Sequence, residues 1–376
     1  MVCYSFSPCT TGAATLMYNL CKYLPKKWFT VITACEDFGI CGNLGAYDKE
    51  YTFDCNIIRL PIRTYKIIDG MKFVVLTVVQ GILLNKKGYL DCILAVYPNE
   101  FNLLGACLLR YLTGKPLVIY MHDLYLETRK KARLYKLYKF CEKKIFDSAA
   151  LILVTNEKFQ AYYSRKGIKR VAMLHSCVDL DRASIEQKKE KGDNKLKIVF
   201  TGSVYGATED AIIAFLKAAK KINNLEIVFA TPHERSYLEK ISVGFLPKKK
   251  CFELQRSADV LFLPLSFNQS LLEEVQCAFP VKILEYLAAR KPVLALVPKG
   301  CYVEEFIRKH NVGIVVTELS EQKIADAVNE LRNEKKREFF SENASKVVCS
   351  YDAKIQADKL RSIIEWILLN KHKKAT

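Results

Sequence analysis

Short apolar runs alternate with amphipathic stretches along most of this chain. The runs are almost entirely apolar, as expected of parallel strands that are covered on both faces. They span residues 117–121, 150–155, 197–201, 226–230, 260–264 and 293–297. Apolar positions at helical spacing lie at residues 12–24, 130–145, 209–221, 281–289 and 322–333. This alternation predicts an α/β fold built on parallel sheets.

One stretch, residues 186–195 (EQKKEKGDNK), contains no apolar side chain and leads directly into a predicted strand. We place the domain boundary there, because linkers between domains are polar and exposed. The sequence thus predicts a first domain over 1–183, a linker over 184–195 and a second domain over 196–350. A final amphipathic helix over 353–369 could pack back onto the first domain.

The start of the chain predicts a short first strand, because only residues 2–6 precede Ser7-Pro8. It has no basic region followed by a long apolar region, so we expect no signal peptide. The longest nearly uncharged apolar run covers the twelve residues 73–84. A membrane-spanning helix needs roughly 20 apolar residues, so we expect none.

Composition narrows the class of protein further. With 50% apolar and 26% charged residues in 376, the chain is neither disordered nor collagenous nor a coiled coil. The 14 cysteines include no CxxC pair, and the five histidines have no zinc-site spacing, so we expect reduced cytosolic thiols and no metal. The net charge of +18 suits phosphorylated ligands, an anionic membrane or nucleic acid, and does not choose among them.

Residues 279–293 (FPVKILEYLAARKPV) carry the most specific chemistry. Pro280 fits the start of a helix, where the free amides and the helix dipole favour an anion. Lys282 in the first turn adds a cation suited to a diphosphate. Glu285 lies about one turn further on the same side of the helix, where a carboxylate could accept hydrogen bonds from ribose hydroxyls.

This segment, extended to residue 296 (FPVKILEYLAARKPVLAL), resembles the second half of the donor-site signature of GT-B glycosyltransferases, close to glycosyltransferase family 4. The resemblance extends over most of the chain. Residues 5–20 are similar to the family's opening loop and first helix, and VIYMHD (118–123) to the strand that ends in a site histidine. VFTGSVYG (199–206) is similar to the first strand and loop of the second domain.

The resemblance implies the GT-B fold, which is two Rossmann-like domains with parallel sheets facing across a cleft. The nucleotide sugar would bind mainly to the second domain and the acceptor mainly to the first. The resemblance also implies anomeric retention, no essential metal and no cofactor besides the substrate. A metal-free site must stabilise the leaving diphosphate with amides, helix ends and cations. The parts available for this are Gly12, the loop of Gly202 and Ser203, Pro280 and Lys282.

Two departures from the family pattern stand out. The usual signature has two glutamates eight positions apart; Glu285 matches the second, while Cys277 occupies the place of the first. Glu273 and Glu274 could replace that carboxylate if the preceding loop folds inward. Many relatives have a basic residue shortly after the glycine loop, but residues 208–210 here read Thr-Glu-Asp, which leaves the phosphate charge to Lys282.

His122 ends a predicted strand, where sites of α/β proteins lie. We expect it to hydrogen-bond the donor sugar or to stabilise charge at the reacting carbon, although a lone histidine is often only structural. Asp123 would be the general base if the reaction inverts the anomeric centre. Asp179 belongs to an Asp-x-Asp triplet that we interpret as a turn and helix cap rather than a metal site.

We therefore predict an enzyme that moves a sugar from a nucleotide-sugar donor to a hydroxyl of a lipid-linked glycan. It would serve cell-surface polysaccharide synthesis in the cytoplasm, at the inner face of the membrane. A nucleotide-sugar epimerase of the same fold, or a non-catalytic assembly partner suggested by Cys277, stays open. No recognised nucleic-acid module is present, so we expect no nucleic-acid partner.

Two segments could contact an anionic membrane. Residues 129–144 are basic with interleaved aromatics, but their apolar positions also fit the buried stripe of a helix with a solvated basic face. Residues 65–87 form an apolar helix flanked by lysines. For this second segment we expect burial in the core of the first domain.

Overall fold

The computed structural model describes residues 1–34, 48, 55–62, 64, 66–97, 99–124, 135–183, 195–232 and 235–373. The chain divides into two compact units. The first comprises Met1–Ser176 together with Ala353–Thr376, and the second comprises Cys177–Asp352. The first unit thus ends a few residues before the predicted position 183 and includes the C-terminal helix. Nearly all of the predicted linker lies outside the described residues.

The first unit is built on parallel strands: β1 (Thr30–Ala34), β2 (Asn56–Leu60), β3 (Ile93–Tyr97), β4 (Leu117–Met121), β5 (Leu151–Val154) and β6 (Val171–Met173). β1 pairs with β2, and the other four follow one another in the order β3-β4-β5-β6. All five residues of β4 are buried, as expected for a strand covered on both faces. The predicted strands at 117–121 and 150–155 are confirmed.

The N-terminal segment does not form the predicted strand over residues 2–6. It makes isolated parallel bridges at Val2, to Ile32 of β1 on one side and to Ala95 of β3 on the other. The amide of Val96 donates to the carbonyl of Val2 at 3.0 Å. The chain turns after this segment at Ser7-Pro8, whose peptide bond is cis. This short segment therefore lies between β1 and β3 and pairs with each through an isolated bridge only.

The helices of the first unit are α1 (Gly12–Lys22), α2 (Ile67–Lys86), α3 (Glu100–Thr113), α4 (Tyr135–Ser148), α5 (Glu157–Arg165) and α14 (Ala353–Lys373). α14 contacts α1, so the C-terminal helix packs within the first unit. The N-terminal part of the basic segment, residues 129–134, lies outside the described residues. In α4 the described lysines are exposed, while Ile145 is buried.

The expected burial of residues 65–87 in the core is only half right. Phe73, Val74 and Thr77 of α2 are buried, but Val75 and Val79 are 58% and 45% exposed. The helix has 20 residues and contains the apolar run 73–84. By length and composition alone it is the one helix in the described ranges that is long and apolar enough to cross a membrane.

The second unit contains a five-stranded parallel sheet in the order β11-β10-β9-β7-β8. Its strands are β7 (Leu196–Thr201), β8 (Leu225–Ala230), β9 (Val260–Pro264), β10 (Val293–Leu296) and β11 (Gly313–Val316). Its helices are α6 (Leu180–Ala183), α7 (Glu209–Ala219), α8 (Lys248–Ser257), α9 (Leu272–Cys277), α10 (Val281–Ala288), α11 (Tyr302–His310), α12 (Glu321–Glu330) and α13 (Glu334–Val348). The strand order changes direction at β7, which places the topological switch point beside the carboxyl end of that strand.

Both faces of this sheet are covered, which is why its strands are continuous apolar runs. Leu261 and Leu263 of β9 pack on one side with Ile283 of α10. Their neighbour Phe262 points to the other side and stacks on Phe215 of α7 at 4.2 Å between ring centroids. Alternate residues of one strand therefore fill two separate cores.

Ten of the described cysteines follow the expectation of reduced thiols and are free. Cys9 is the exception, because it is disulfide-bonded. The expectation is therefore wrong at Cys9, because sequence spacing alone does not show which cysteines meet in space. Within the described ranges, His, Cys, Asp and Glu form no group of three or more that could hold a metal ion.

Candidate active site

Helix α10 begins where the sequence predicts, and Pro280 is its N-cap. The amide of Ile283 donates to the carbonyl of Pro280 at 3.0 Å, which closes the first turn. Proline has no side-chain acceptor, so its side chain makes no cap hydrogen bond to the first amides. The positive end of the helix dipole is therefore available to an anion.

Lys282 lies in this first turn and reaches the end of β7. Its Nζ stands 4.4 Å from the ring centroid of Phe200, a cation–π distance. Burial of the ammonium lowers the pKa of Lys282 to about 8; the charge of Lys248 lowers it too, and that of Glu285 raises it. A diphosphate placed here would restore the charged form.

Gly202 follows β7 directly, and its backbone conformation favours glycine. Its φ of 127° lies in a region that residues with a side chain rarely adopt. A Cβ at this position would also stand 2.7 Å from Nζ of Lys282. Ser203, the next residue, is half-buried. The structure thus brings the predicted loop and the predicted cation together.

Glu285 is 7% exposed and is held by two side chains that the sequence analysis did not identify. Nζ of Lys248 donates to Oε1 at 2.7 Å. Nε2 of Gln255 lies 3.5 Å from Oε2 and donates at 2.8 Å to the hydroxyl of Thr201 at the end of β7. Burial opposes ionisation of Glu285, but the charge and hydrogen bond of Lys248, with smaller effects of Gln255 and Lys282, lower its pKa overall.

Tyr286 fixes α10 to the sheet. Its hydroxyl accepts from the amide of Thr201 at 3.1 Å and donates to the carbonyl of Phe262 at 3.2 Å. The side chain is fully buried, and burial raises its pKa far above the ordinary value for tyrosine. Because Tyr286 follows Glu285 in the chain, this anchor also sets the position of the carboxylate.

At the two departures from the family pattern the structure has a buried cysteine and an aspartate that holds a neighbouring loop. Cys277 is 5% exposed at the end of α9. Glu273 is exposed in the first turn of α9, and burial raises the pKa of its neighbour Glu274. Asp210 accepts hydrogen bonds from the amide of Phe267 at 2.8 Å and from the hydroxyl of Ser266 at 3.0 Å, and so fixes the loop after β9.

Three predicted site residues belong to the first unit. Gly12 is the first residue of α1, it is exposed, and a Cβ there would meet nothing within 4 Å. The fold therefore has no steric need for glycine at this position. Asp123 follows β4 and is half-buried.

His122 stands at the carboxyl end of β4, where its amide donates to the carbonyl of Tyr97 at 3.3 Å. Its ring packs edge-on against Tyr120 with 4.4 Å between centroids. Both ring nitrogens are buried and have no hydrogen-bond partner among the described residues. Burial lowers the pKa of His122 to about 3, so the imidazole is neutral at neutral pH. It can donate one hydrogen bond and accept one.

Asp179 behaves as the sequence suggests. Its carboxylate accepts from the amide of Arg182 at 3.3 Å, across the first turn of α6. This is the geometry of a helix cap.

Two family models match the sequence. One, Glycosyltransferase Family 4, covers residues 10–182, and the other, Glycosyl transferases group 1, covers residues 195–334. Together they account for most of both units described above. The chain therefore belongs to the GT-B glycosyltransferases and is a glycosyltransferase enzyme, as the resemblance of residues 279–296 implied. Comparison with curated protein sequences finds no match.

Solved structures agree on the fold at low sequence identity. WaaG, a glycosyltransferase involved in lipopolysaccharide biosynthesis, matches with a TM-score of 0.69 at 16% identity, over 96% of this chain and 98% of its own. HepE from Anabaena, in complex with UDP, matches with 0.68 at 14% identity, over 97% and 98%. A candidate UDP-N-acetylglucosamine 2-epimerase from Listeria monocytogenes matches with 0.63 at 12% identity, over 100% and 96%.

Proposed function

We propose that this glycosyltransferase moves a sugar from a nucleoside-diphosphate donor to a hydroxyl of a lipid-linked glycan during cell-surface polysaccharide synthesis. The reaction retains the anomeric configuration, needs no metal ion and takes place at the cytoplasmic face of the membrane. WaaG acts in lipopolysaccharide biosynthesis, and HepE has been solved with UDP and with UDP-glucose, which makes a uridine donor the first to test.

The observation that carries the donor site is the position of Lys282. Its ammonium lies against Gly202 and Phe200 at the end of β7, in the first turn of a helix whose N-cap supplies no side-chain acceptor. A diphosphate seated there would meet a cation, a helix N-terminus and a glycine whose missing side chain allows close approach. The cation and the helix N-terminus stabilise negative charge as the bond to the sugar breaks.

Glu285 is proposed to bind the ribose. It is ionised, buried and fixed by Lys248 and Gln255, so its carboxylate is pre-organised to accept hydroxyl hydrogen bonds. Ser203 is proposed to donate to the phosphates from the loop after β7.

For the sugar and the acceptor we propose the residues of the first unit. The neutral imidazole of His122 hydrogen-bonds the donor sugar, and Gly12 leaves room for substrate at the start of α1. In a retaining front-face reaction the departing phosphate takes the acceptor proton, so no enzyme base is needed. Asp123 is the base to test if the product is inverted.

Calorimetric titration with UDP, GDP, CDP and dTDP tests the donor site. We expect one nucleotide to bind tightly, with the same affinity in EDTA. Lys282→Ala should weaken that affinity at least tenfold, whereas Lys299→Ala, an exposed lysine of the same unit, should leave it unchanged. No binding by any of the four nucleotides would instead favour a non-catalytic partner.

The reaction is tested by incubating the enzyme with the matching nucleotide sugar and extracted glycolipid. Nuclear magnetic resonance of the product distinguishes retention from inversion. If the protein instead epimerises the donor without any acceptor, the proposed sugar transfer is wrong and the epimerase alternative is right.

A further inference from the structure

Helix α2 presents an apolar face to solvent along its whole length. Ile68, Met71, Val75, Val79 and Leu83 follow one another at spacings of three or four residues, so they share one side of the helix. They are between 45% and 71% exposed. The outward face of a surface helix is normally polar. This row of five side chains, called here the apolar stripe, therefore requires an explanation.

The opposite side of α2 shows that the helix is a fixed part of the first unit. A Cβ at Gly70 would lie 2.2 Å from the ring of Phe101, and one at Gly81 would lie 2.3 Å from Leu109. α3 therefore packs so closely against α2 that a side chain at either glycine would clash. The two helices run in the same direction. Because these contacts and the flanking strands β2 and β3 hold α2 in place, the stripe is suited to lie on an apolar phase rather than to cross it.

Helix α3 carries further exposed apolar side chains near its C-terminal end. Leu108, Tyr111 and Leu112 are 41%, 66% and 64% exposed. They flank Leu109, the residue that packs at Gly81 near the end of α2. Of the large apolar side chains that are exposed among the described residues, nearly half lie on these two helices. Such a concentration marks an interaction surface rather than scattered exposure.

The charges around the stripe are basic. Lys66 precedes α2, Lys72 lies beside the stripe, and Lys86 and Lys87 end the helix; all four are exposed. The acidic residue of this helix, Asp69, is mostly buried and accepts a hydrogen bond from the hydroxyl of Thr64, with Lys72 at 3.8 Å. An apolar row bordered by lysines complements a bilayer with anionic headgroups, where the side chains enter the acyl region and the ammonium groups meet phosphates.

We propose that the apolar stripe of α2 is the surface by which this protein docks on an anionic lipid bilayer. In this arrangement α2 lies in the plane of the interface and does not span the membrane. This surface rests on the proposed function, since it would hold the enzyme at the membrane face where we propose that it acts. Its test needs no sugar transfer, so it can fail while the transferase function stands.

Sedimentation of the full chain with vesicles tests this docking. The vesicles contain phosphatidylcholine alone or phosphatidylcholine with phosphatidylglycerol. We expect binding to the anionic vesicles, weakened by high salt because exposed charges are screened. The double variant Val75→Glu and Val79→Glu should lose at least tenfold in partition coefficient, since two carboxylates would enter the apolar region. Lys86→Gln with Lys87→Gln should weaken binding only to the anionic vesicles.

The matched control places the same charges elsewhere. Ile213→Glu and Phe339→Glu change two exposed apolar residues on helices α7 and α13 of the second unit, and should leave vesicle binding unchanged. Unaltered circular dichroism and nucleotide affinity in the Val75 and Val79 variant would show that it is folded and that the donor site is intact. Equal loss in both double variants would overturn the proposal. So would a wild-type dimer in light scattering that becomes monomeric in the Val75 and Val79 variant, because the stripe would then cover a second copy of the chain.

Discussion

Nζ of Lys248 lies 2.7 Å from Oε1 of Glu285, and the two side chains are only 15% and 9% exposed. The pair joins the first residue of α8 to the middle of α10. A carboxylate held in this way keeps one orientation, with one oxygen on the ammonium and the other near Gln255. Hydroxyl groups of a ribose would thus meet an acceptor that is already ionised and fixed.

Removing the lysine alone should be costly. Lys248→Met leaves the buried carboxylate with weaker partners, and breaking one side of a buried ion pair typically costs about 3–5 kcal/mol. We expect urea unfolding to show a loss of about 3 kcal/mol at neutral pH. Adding Glu285→Gln should recover most of that stability, because the uncompensated charge is gone. Purely additive effects in the double-mutant cycle would show that the two residues do not interact.

Gly202 offers a matched comparison with Gly206 of the same loop. Gly202→Ala meets an unfavourable φ and displaces the ammonium of Lys282, whereas a Cβ at Gly206 would meet nothing within 4 Å. We expect Gly202→Ala to weaken nucleotide affinity at least tenfold and to lower stability by about 1 kcal/mol or more. Gly206→Ala should change neither, as measured by calorimetry and urea unfolding. If both variants bind the nucleotide normally, the loop does not line the donor site.

The donor half of the site could be predicted from sequence because its residues are local to one helix. Pro280, Lys282 and Glu285 lie within six positions, so the helical repeat places them together whatever the rest of the fold does. The loop of Gly202 could be placed beside them only through the resemblance to a family. The structure supplies the reason, since Gly202 and Lys282 meet at the switch point of the sheet.

Lys248 and Gln255 could not be predicted, because nothing local connects them to Glu285, which is 37 residues from Lys248. Lys248 begins a run of three lysines, a pattern that usually marks a solvated surface. The strands at 30–34, 56–60 and 93–97 were also missed. The strand at 56–60 is only partly buried, so its apolar run is short and contains an arginine. Tertiary contacts, rather than local pattern, decide such elements.

Lys282 should give nucleotide binding a distinctive pH dependence. Burial lowers its pKa to about 8, so the free protein loses the ammonium as the pH rises through that value. The diphosphate needs the charged form, and affinity should therefore fall above about pH 8, approaching tenfold per pH unit. Calorimetry over this range, with phosphate ionisation already complete, measures the effect. Lys282→Ala binds more weakly, and its affinity should not fall over this pH range. If its affinity falls as in the wild type, a group other than Lys282 titrates.

Substitution of Gly12 distinguishes a structural role of this residue from a role in substrate binding. A Cβ there enters open space, and alanine is a better helix residue than glycine by roughly 1 kcal/mol. Gly12→Ala should therefore keep or slightly raise the unfolding midpoint. If substrate approaches the start of α1, the same change should lower kcat/KM at least tenfold. Normal turnover with normal stability would remove Gly12 from the site.

Substitution of His122 should change stability and activity in opposite directions. Its buried nitrogens lack protein partners within the described ranges, so His122→Phe removes polar atoms that are costly to bury. We expect this variant to be as stable as the wild type or more stable at neutral pH, by about 1 kcal/mol. If the imidazole hydrogen-bonds the donor sugar, the variant should lose about a hundredfold in turnover.

The pH dependence of stability gives His122 a second test. Its pKa in the folded protein is about 3, well below the ordinary 6.5, so at pH between these values the unfolded chain binds a proton that the folded chain does not. Wild-type stability should accordingly fall as the pH drops through about 6.5, by at most about 1.4 kcal/mol per pH unit from this residue. His122→Phe lacks this component, so the stability difference between variant and wild type should grow in acid. Urea unfolding at several pH values measures that difference, and a constant difference would mean that the imidazole is accessible to protons in the folded state.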